Sequence, residues 1–193
     1  AWAEKVFPNL PKEKQVDALW DAIFKATRSD LKNPVEAWTK HNDTLHEKVH
    51  YLNAKKYAKL HYTAPGTDLT IELPKGHLWC GAGSVNEKGE EFMANMPTEE
   101  VFTVPHKDGV NGYVSSTKPL SYGGNIIDNF KITFENGRIT KIEAEQGEEV
   151  LKNLVATDEG SHRLGEVALV PHDSPISNSD LLFYNTLFDE NAS

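Results

Sequence analysis

The apolar residues change period once along the chain, near Lys59, and that change restricts the fold more than any other feature. Before it, two segments repeat at helical spacing. In "PKEKQVDALWDAIFKATR", Val16, Leu19, Trp20, Ile23 and Phe24 share one face, and Pro11 suits a first helical position. In "NPVEAWTKHNDTLHEKVHYLNAKKYAK", Val35, Trp38, Leu45, Val49 and Leu52 form a second stripe, with Asn33 as the N-cap. After Lys59 the period falls to two. "AKLHYTAPGTDLTIELP" alternates about an "APGTD" turn, and "GHLWCGAG" reads as a further strand. In "NFKITFENGRITKIEAEQ", Phe130, Ile132 and Phe134 alternate into Asn136-Gly137, the pair favoured in a two-residue type I′ turn, and Ile139 and Ile142 follow. "EEVLKNLVATD" is expected to be a short helix, "LGEVALVP" a strand, and "SDLLFYNTLFDENAS" a helix that the terminus cuts short. The expected class is α+β: a helical segment, residues 1–59, then a mostly antiparallel β-rich segment, residues 60–193. Both ends break off in mid-pattern, so the chain reads as a piece of a larger protein.

Charge and composition exclude several partners. A net charge of −9 opposes nucleic acid, whose phosphates need a basic surface, and opposes an anionic membrane equally. No apolar run approaches the ~20 residues that span a bilayer, and the first residues lack the pattern of a signal peptide. Cys80 is alone and cannot form an internal disulfide. This fits a reducing cytoplasm, and Cys80 is expected to be a buried structural thiol rather than a nucleophile.

"HEKVH", residues 46–50, matches the H-E-x-x-H pattern of zinc-peptidase helices. His46 and His50 have the required spacing, but the apolar stripe runs through Leu45 and Val49. At about 100° per residue, Glu47 then points to solvent and the two histidines point sideways. "YLNAKKY" follows where a third ligand belongs. A solvated helix face is the better reading.

Acids at the mouths of apolar strands are costly unless paired or bound to a cation. Glu99 and Glu100 precede one such strand in "NMPTEEVFTVPHKDG", and Glu166 leads another in "RLGEVALVPHDSPIS". These stretches, together with "LHYTAPGTDLTIELPKGHLWCGAG", "ITFENGRITKIEAEQG" and "LFYNTLFDENAS", resemble the aminopeptidase T family of bacterial metallo-aminopeptidases, which includes the aminopeptidase S and PepS types. The resemblance covers essentially the whole chain.

It implies a cytoplasmic, homodimeric exopeptidase that removes amino-terminal residues from peptides with two divalent metal ions (Zn, Co, Mn or Mg). It implies Glu100 and Glu166 as metal ligands; Glu99 is disfavoured because Glu100 has the fitting separation from Glu166. The family's further ligands, two histidines and an aspartate, and a nearby tyrosine fall after Ser193. Residues 1–59 would then be the end of an N-terminal α/β domain and residues 60–193 the first part of the catalytic domain. The piece alone is expected to be inactive. One competing reading places a metal at a local cluster of Glu166, His172 and Asp173, with His106 and Asp108 similarly near Glu100. Another takes the chain as an acidic, non-enzymatic scaffold module.

Overall fold

Asn33 opens the longest helix with a reciprocal cap. Its Oδ1 accepts the Glu36 N–H at 3.3 Å, and its Nδ2 donates to Glu36 Oε2 at 2.8 Å. The computed structural model describes residues 1–192. Its helices are α1 (Trp2–Val6), α2 (Lys12–Ala26), α3 (Pro34–Lys55), α4 (Glu148–Val155) and α5 (Thr186–Asp189). The strands up to the middle of the chain are β1 (Lys59–Ala64), β2 (Thr67–Glu72), β3 (Cys80–Gly81), β4 (Ser84–Val85), β5 (Glu91–Phe92) and β6 (Val101–Thr103). The rest are β7 (Val110–Ser115), β8 (Leu120–Tyr122), β9 (Asn125–Ile127), β10 (Lys131–Glu135), β11 (Arg138–Glu143) and β12 (Val167–Leu169). The expected α+β class is what the chain adopts. Among the described residues no helix is long and apolar enough to cross a membrane.

The contacts divide into two compact units. The first contains residues 1–51, 80–101 and 168–193, and the second residues 52–79 and 102–167.

In the first unit, α2 buries Gln15, Leu19 and Ala26 and leaves Val16, Trp20 and Phe24 exposed. The expected five-residue face is therefore only partly inward. The polar Gln15 joins the buried side because its Nε2 donates to the carbonyls of Phe7 and Leu10 at 3.2 and 3.1 Å. Pro11 stands just before the helix rather than as its first residue. In α3, Leu45 and Leu52 are buried as expected, but Val35 is 77% exposed, on an open groove it shares with Trp38, Phe92 and Met96. Ala26, Ile176, Phe183 and Phe188 form one core cluster, with the two phenyl rings stacked at 4.7 Å.

The expected helix over 179–193 is mostly absent. Asp180 and Tyr184 have positive φ, and the helix is confined to Thr186–Asp189. The Asp189 carboxylate accepts the N–H groups of Phe183 and Asn185 at 2.8 and 3.0 Å, which folds the preceding segment into a loop. Ser193, where that expected helix would end, lies outside the described residues.

In the second unit an antiparallel sheet has the order β1-β2-β7-β10-β11. Ala64 pairs with Thr67 across a two-residue Pro65-Gly66 turn. Glu135 pairs with Arg138 across Asn136-Gly137, whose φ values of 49° and 78° are those of the expected type I′ turn. The α4 helix lays Leu151 and Val155 against Ile127, with Phe130, Ile132, Ile139 and Ile142 around them. Burying side chains of this size contributes roughly 1.5–3 kcal/mol each.

Candidate metal centre

Residues 97–103 alternate in burial. Pro97, Glu99, Val101 and Thr103 are buried, while Thr98, Glu100 and Phe102 are half-buried. An extended chain sends successive side chains to opposite sides, so Glu99 and Glu100 serve different surroundings. Glu99 is only 1% exposed, and a carboxylate buried that deeply needs a charged, hydrogen-bonded partner. Arg28 supplies it. Its Nη1 donates to Glu99 Oε1 and its Nη2 to Oε2, the latter at 2.9 Å.

Three further contacts hold the same segment. The Glu99 N–H donates to Asn191 Oδ1 at 2.7 Å, while Asn191 Nδ2 donates to the Leu187 carbonyl at 2.8 Å. His41 Nε2 donates to the Thr98 carbonyl at 2.7 Å and lies 3.6 Å from Glu99 Oε2. A carbonyl only accepts, so Nε2 carries the hydrogen. On Gly81, a β-carbon would stand 2.9 Å from the Glu100 carbonyl oxygen, so only glycine lets the two strands approach this closely.

Glu166 is exposed and immediately precedes β12. Three residues upstream, Arg163 Nη1 donates to the Lys107 carbonyl at 2.7 Å and to Asp108 Oδ1 at 2.9 Å, which holds the loop that leads to it. Glu100 belongs to the first unit and Glu166 to the second.

The competing placements resolve into local turns. Asp173 Oδ1 accepts from Asn178 Nδ2 at 2.9 Å beside an exposed His172, and His106 Nδ1 accepts the Asp108 N–H at 3.2 Å. Leu45, just before "HEKVH", is buried; within the motif His46 is half-buried, while Glu47 and His50 are exposed. Among the described residues no three of His, Cys, Asp or Glu stand together to hold a metal, and Glu166, His172 and Asp173 do not form such a cluster. Cys80 is exposed, contrary to the expected buried thiol, next to the buried Trp79 on the other side of the extended chain.

As hard oxygen donors, the Glu100 and Glu166 carboxylates fit divalent cations such as Mg²⁺ or Zn²⁺. Two carboxylates alone do not fill the coordination shell of such a cation. Sequence reasoning missed Arg28, His41 and Asn191, which lie far from Glu99 along the chain. The usable signal was the period-two step from Val101 back to Glu99, which places that glutamate on the inward face.

The sequence pattern of the thermophilic metalloprotease family (M29) matches residues 1–193. The chain belongs to the M29 family. Aminopeptidase AmpS of Bacillus subtilis (strain 168) is 70% identical over 192 residues, covering 100% of this chain and 47% of that protein. Aminopeptidase 2 of Geobacillus stearothermophilus is 57% identical over 192 residues, again 100% of this chain and 46% of its own length. The solved structure of wild-type AmpT from Thermus thermophilus superposes with a TM-score of 0.93 at 50% identity, covering 100% of this chain and 47% of that one. The M29 chain thus spans about half the length of the relatives it matches.

Proposed function

We propose that the polypeptide containing this chain is a cytoplasmic metal-dependent aminopeptidase that releases amino-terminal residues from peptides at a two-metal centre, with Glu100 and Glu166 among the ligands. The observation that carries this reading is the division of labour between adjacent glutamates. Arg28 occupies the Glu99 carboxylate, and the alternation of the strand gives Glu100 a different outlook. Membership of a metalloprotease family and the aminopeptidase names of its relatives support the reaction class.

The divalent cations of such a centre supply polarisation of the scissile carbonyl and acidification of a water. Zinc, cobalt, manganese and magnesium all suit a carboxylate-rich set completed by histidine. The Glu100 and Glu166 side chains hold the cations and offset their mutual repulsion. The remaining donors, two histidines and an aspartate, come from outside these residues, so the chain alone is inactive. The helical segment 1–59 ends an N-terminal domain, and residues 60–193 begin the catalytic one, to which the helices lend Arg28 and His41. The working enzyme is a homodimer.

The test uses the full-length protein, metal analysis and hydrolysis of an aminoacyl p-nitroanilide. Glu100→Gln and Glu166→Gln should each lower bound metal and reduce turnover by at least about a hundredfold, of the order lost with a catalytic group. Full metal content and turnover in either variant would remove that residue from the centre.

A further inference from the structure

We propose that Arg28, acting through Glu99, is a positioning residue that aims Glu100 at the metal; this rests on the reading of Glu100 as a ligand. The backbone from Thr98 to Val101 is held at successive points. His41 holds the Thr98 carbonyl, Asn191 the Glu99 N–H, Arg28 the Glu99 carboxylate, and Gly81 packs against the Glu100 carbonyl. Val101 continues into β6 and is 5% exposed. With these points held, the direction of the Glu100 Cα–Cβ bond is set. A ligand that arrives pre-aimed binds metal more tightly than one that must be ordered first.

Arg28 is itself held. It follows the last turn of α2 with φ of 56°, and the Ser29 and Arg28 N–H groups donate to the carbonyls of Phe24 and Lys25 at 2.8 and 3.0 Å. That bonding is a Schellman helix end, where the left-handed residue is usually glycine. Here the position carries a long cation that leaves the helix end towards Glu99. Its guanidinium carbon lies 5.7 Å from the centre of the Trp38 ring, and Trp38 Nε1 donates to the Thr27 carbonyl at 2.7 Å, tying the same turn to α3. The planar fork meets both carboxylate oxygens at once, which an ammonium cannot do.

The chemistry of the arrangement is that of a support for a metal ligand: a buried, bidentate pair next in sequence to the coordinating side chain. Such supports are worth roughly 10–100-fold in metal affinity. Arg28 does not touch substrate or metal in this role, and its effect passes through Glu100 alone.

The experiment titrates Co²⁺ alone into metal-free full-length protein, followed by calorimetry and visible absorption, with thermal midpoints measured in parallel. The paired variant Arg28→Met/Glu99→Met removes both charges, so no orphan charge is left buried. It should bind Co²⁺ about 10–100-fold more weakly. Arg28→Lys keeps the charge without the fork; it should show a loss of the same sign, and it decides between the outcomes if the paired variant does not fold. In a Glu100→Gln background the paired change should produce no further loss. Wild-type Co²⁺ affinity in Arg28→Lys and in the folded paired variant would overturn the proposal, as would an equal additional loss in the Glu100→Gln background. Unchanged Co²⁺ affinity in Glu100→Gln itself would instead remove Glu100 from the ligand set, a distinct result that withdraws both readings.

Discussion

Arg28 and Glu99 form a two-pronged ion pair between residues 71 positions apart, with the glutamate side chain 1% and the arginine side chain 15% exposed. A pair this buried does not add much stability over an apolar pair of the same volume, but losing one partner strands the other charge. Arg28→Gly separates these effects. Glycine relieves the left-handed backbone, worth roughly 1 kcal/mol, yet deprives the buried Glu99 of its guanidinium partner at about 3–5 kcal/mol. The net expectation is destabilisation by about 2–4 kcal/mol in urea unfolding, and a stabilised Arg28→Gly variant would show that the pair contributes nothing.

The stacked Phe183 and Phe188 rings sit in the cluster with Ile176 and Ala26, and Phe183 is fully buried. Phe183→Ala removes that filling from the first unit and should destabilise it by about 3–5 kcal/mol. A denaturant midpoint close to wild type would mean that the cluster collapses around the gap.

Gly137 is the second residue of a two-residue turn in the second unit. Its φ is 78°, and a β-carbon there would stand 1.9 Å from the Lys107 carbonyl oxygen. Backbone cannot yield as a flexible side chain can, so Gly137→Ala should cost more than the usual ~1–2 kcal/mol of a left-handed residue. Thermal unfolding measures it, and a loss within that ordinary range would show that the Lys107 loop moves aside.

The α4 helix predicts a pH dependence on both limbs. The Lys152 side chain first, then the Ala144 N–H, holds the Glu148 carboxyl below its ordinary 4.5. The Glu148 and Glu149 carboxylates hold the Lys152 ammonium above its ordinary 10.5. Glu148, with its folded value lowered, contributes stability that is complete above 4.5 and lost as pH falls through the folded value. Lys152, with its value raised, contributes stability that is complete below 10.5 and lost as pH rises through the folded value. Glu148→Gln should therefore flatten the acid limb below pH 4.5 and weaken the alkaline limb, a change that stability measured against pH would expose. An acid limb as steep as wild type counts against the pairing.

The "HEKVH" helix supplies the negative control. His50 is exposed and His46 half-buried, with no third ligand group beside them among the described residues. His46→Ala with His50→Ala in the full-length protein should leave metal content and turnover near wild type. Loss of bound metal would restore the zinc-helix reading.

Local pattern made much of the fold legible. The Asn136-Gly137 pair specified a hairpin because few residues accept two successive positive φ values, and Asn33 announced a helix start that its cap to Glu36 bears out. The α2 face was less legible, since spacing ranks apolar positions without saying which of them meets the core. Val16, Trp20 and Phe24 satisfy the helical period and still face outward, while Gln15 is buried because two carbonyls wait for its amide. The helix expected over 179–193 failed for a related reason. Its apolar run fits helical spacing, but Asp189 accepts backbone N–H groups from the residues before it and holds them in a loop.

By itself the sequence determined the α+β class, the hairpins, the α4 helix and the acids at the strand mouths, all of which depend on neighbours within a few residues. Long, ordered segments also carried the family resemblance. What each acid meets was decided by the tertiary structure alone. Charge and hydrogen-bond satisfaction depend on three-dimensional neighbours, and the partner of Glu99 lies 71 residues away at the end of another helix. No window of sequence contains that pairing, and it is what gives Glu99 a structural task distinct from that of the glutamate beside it.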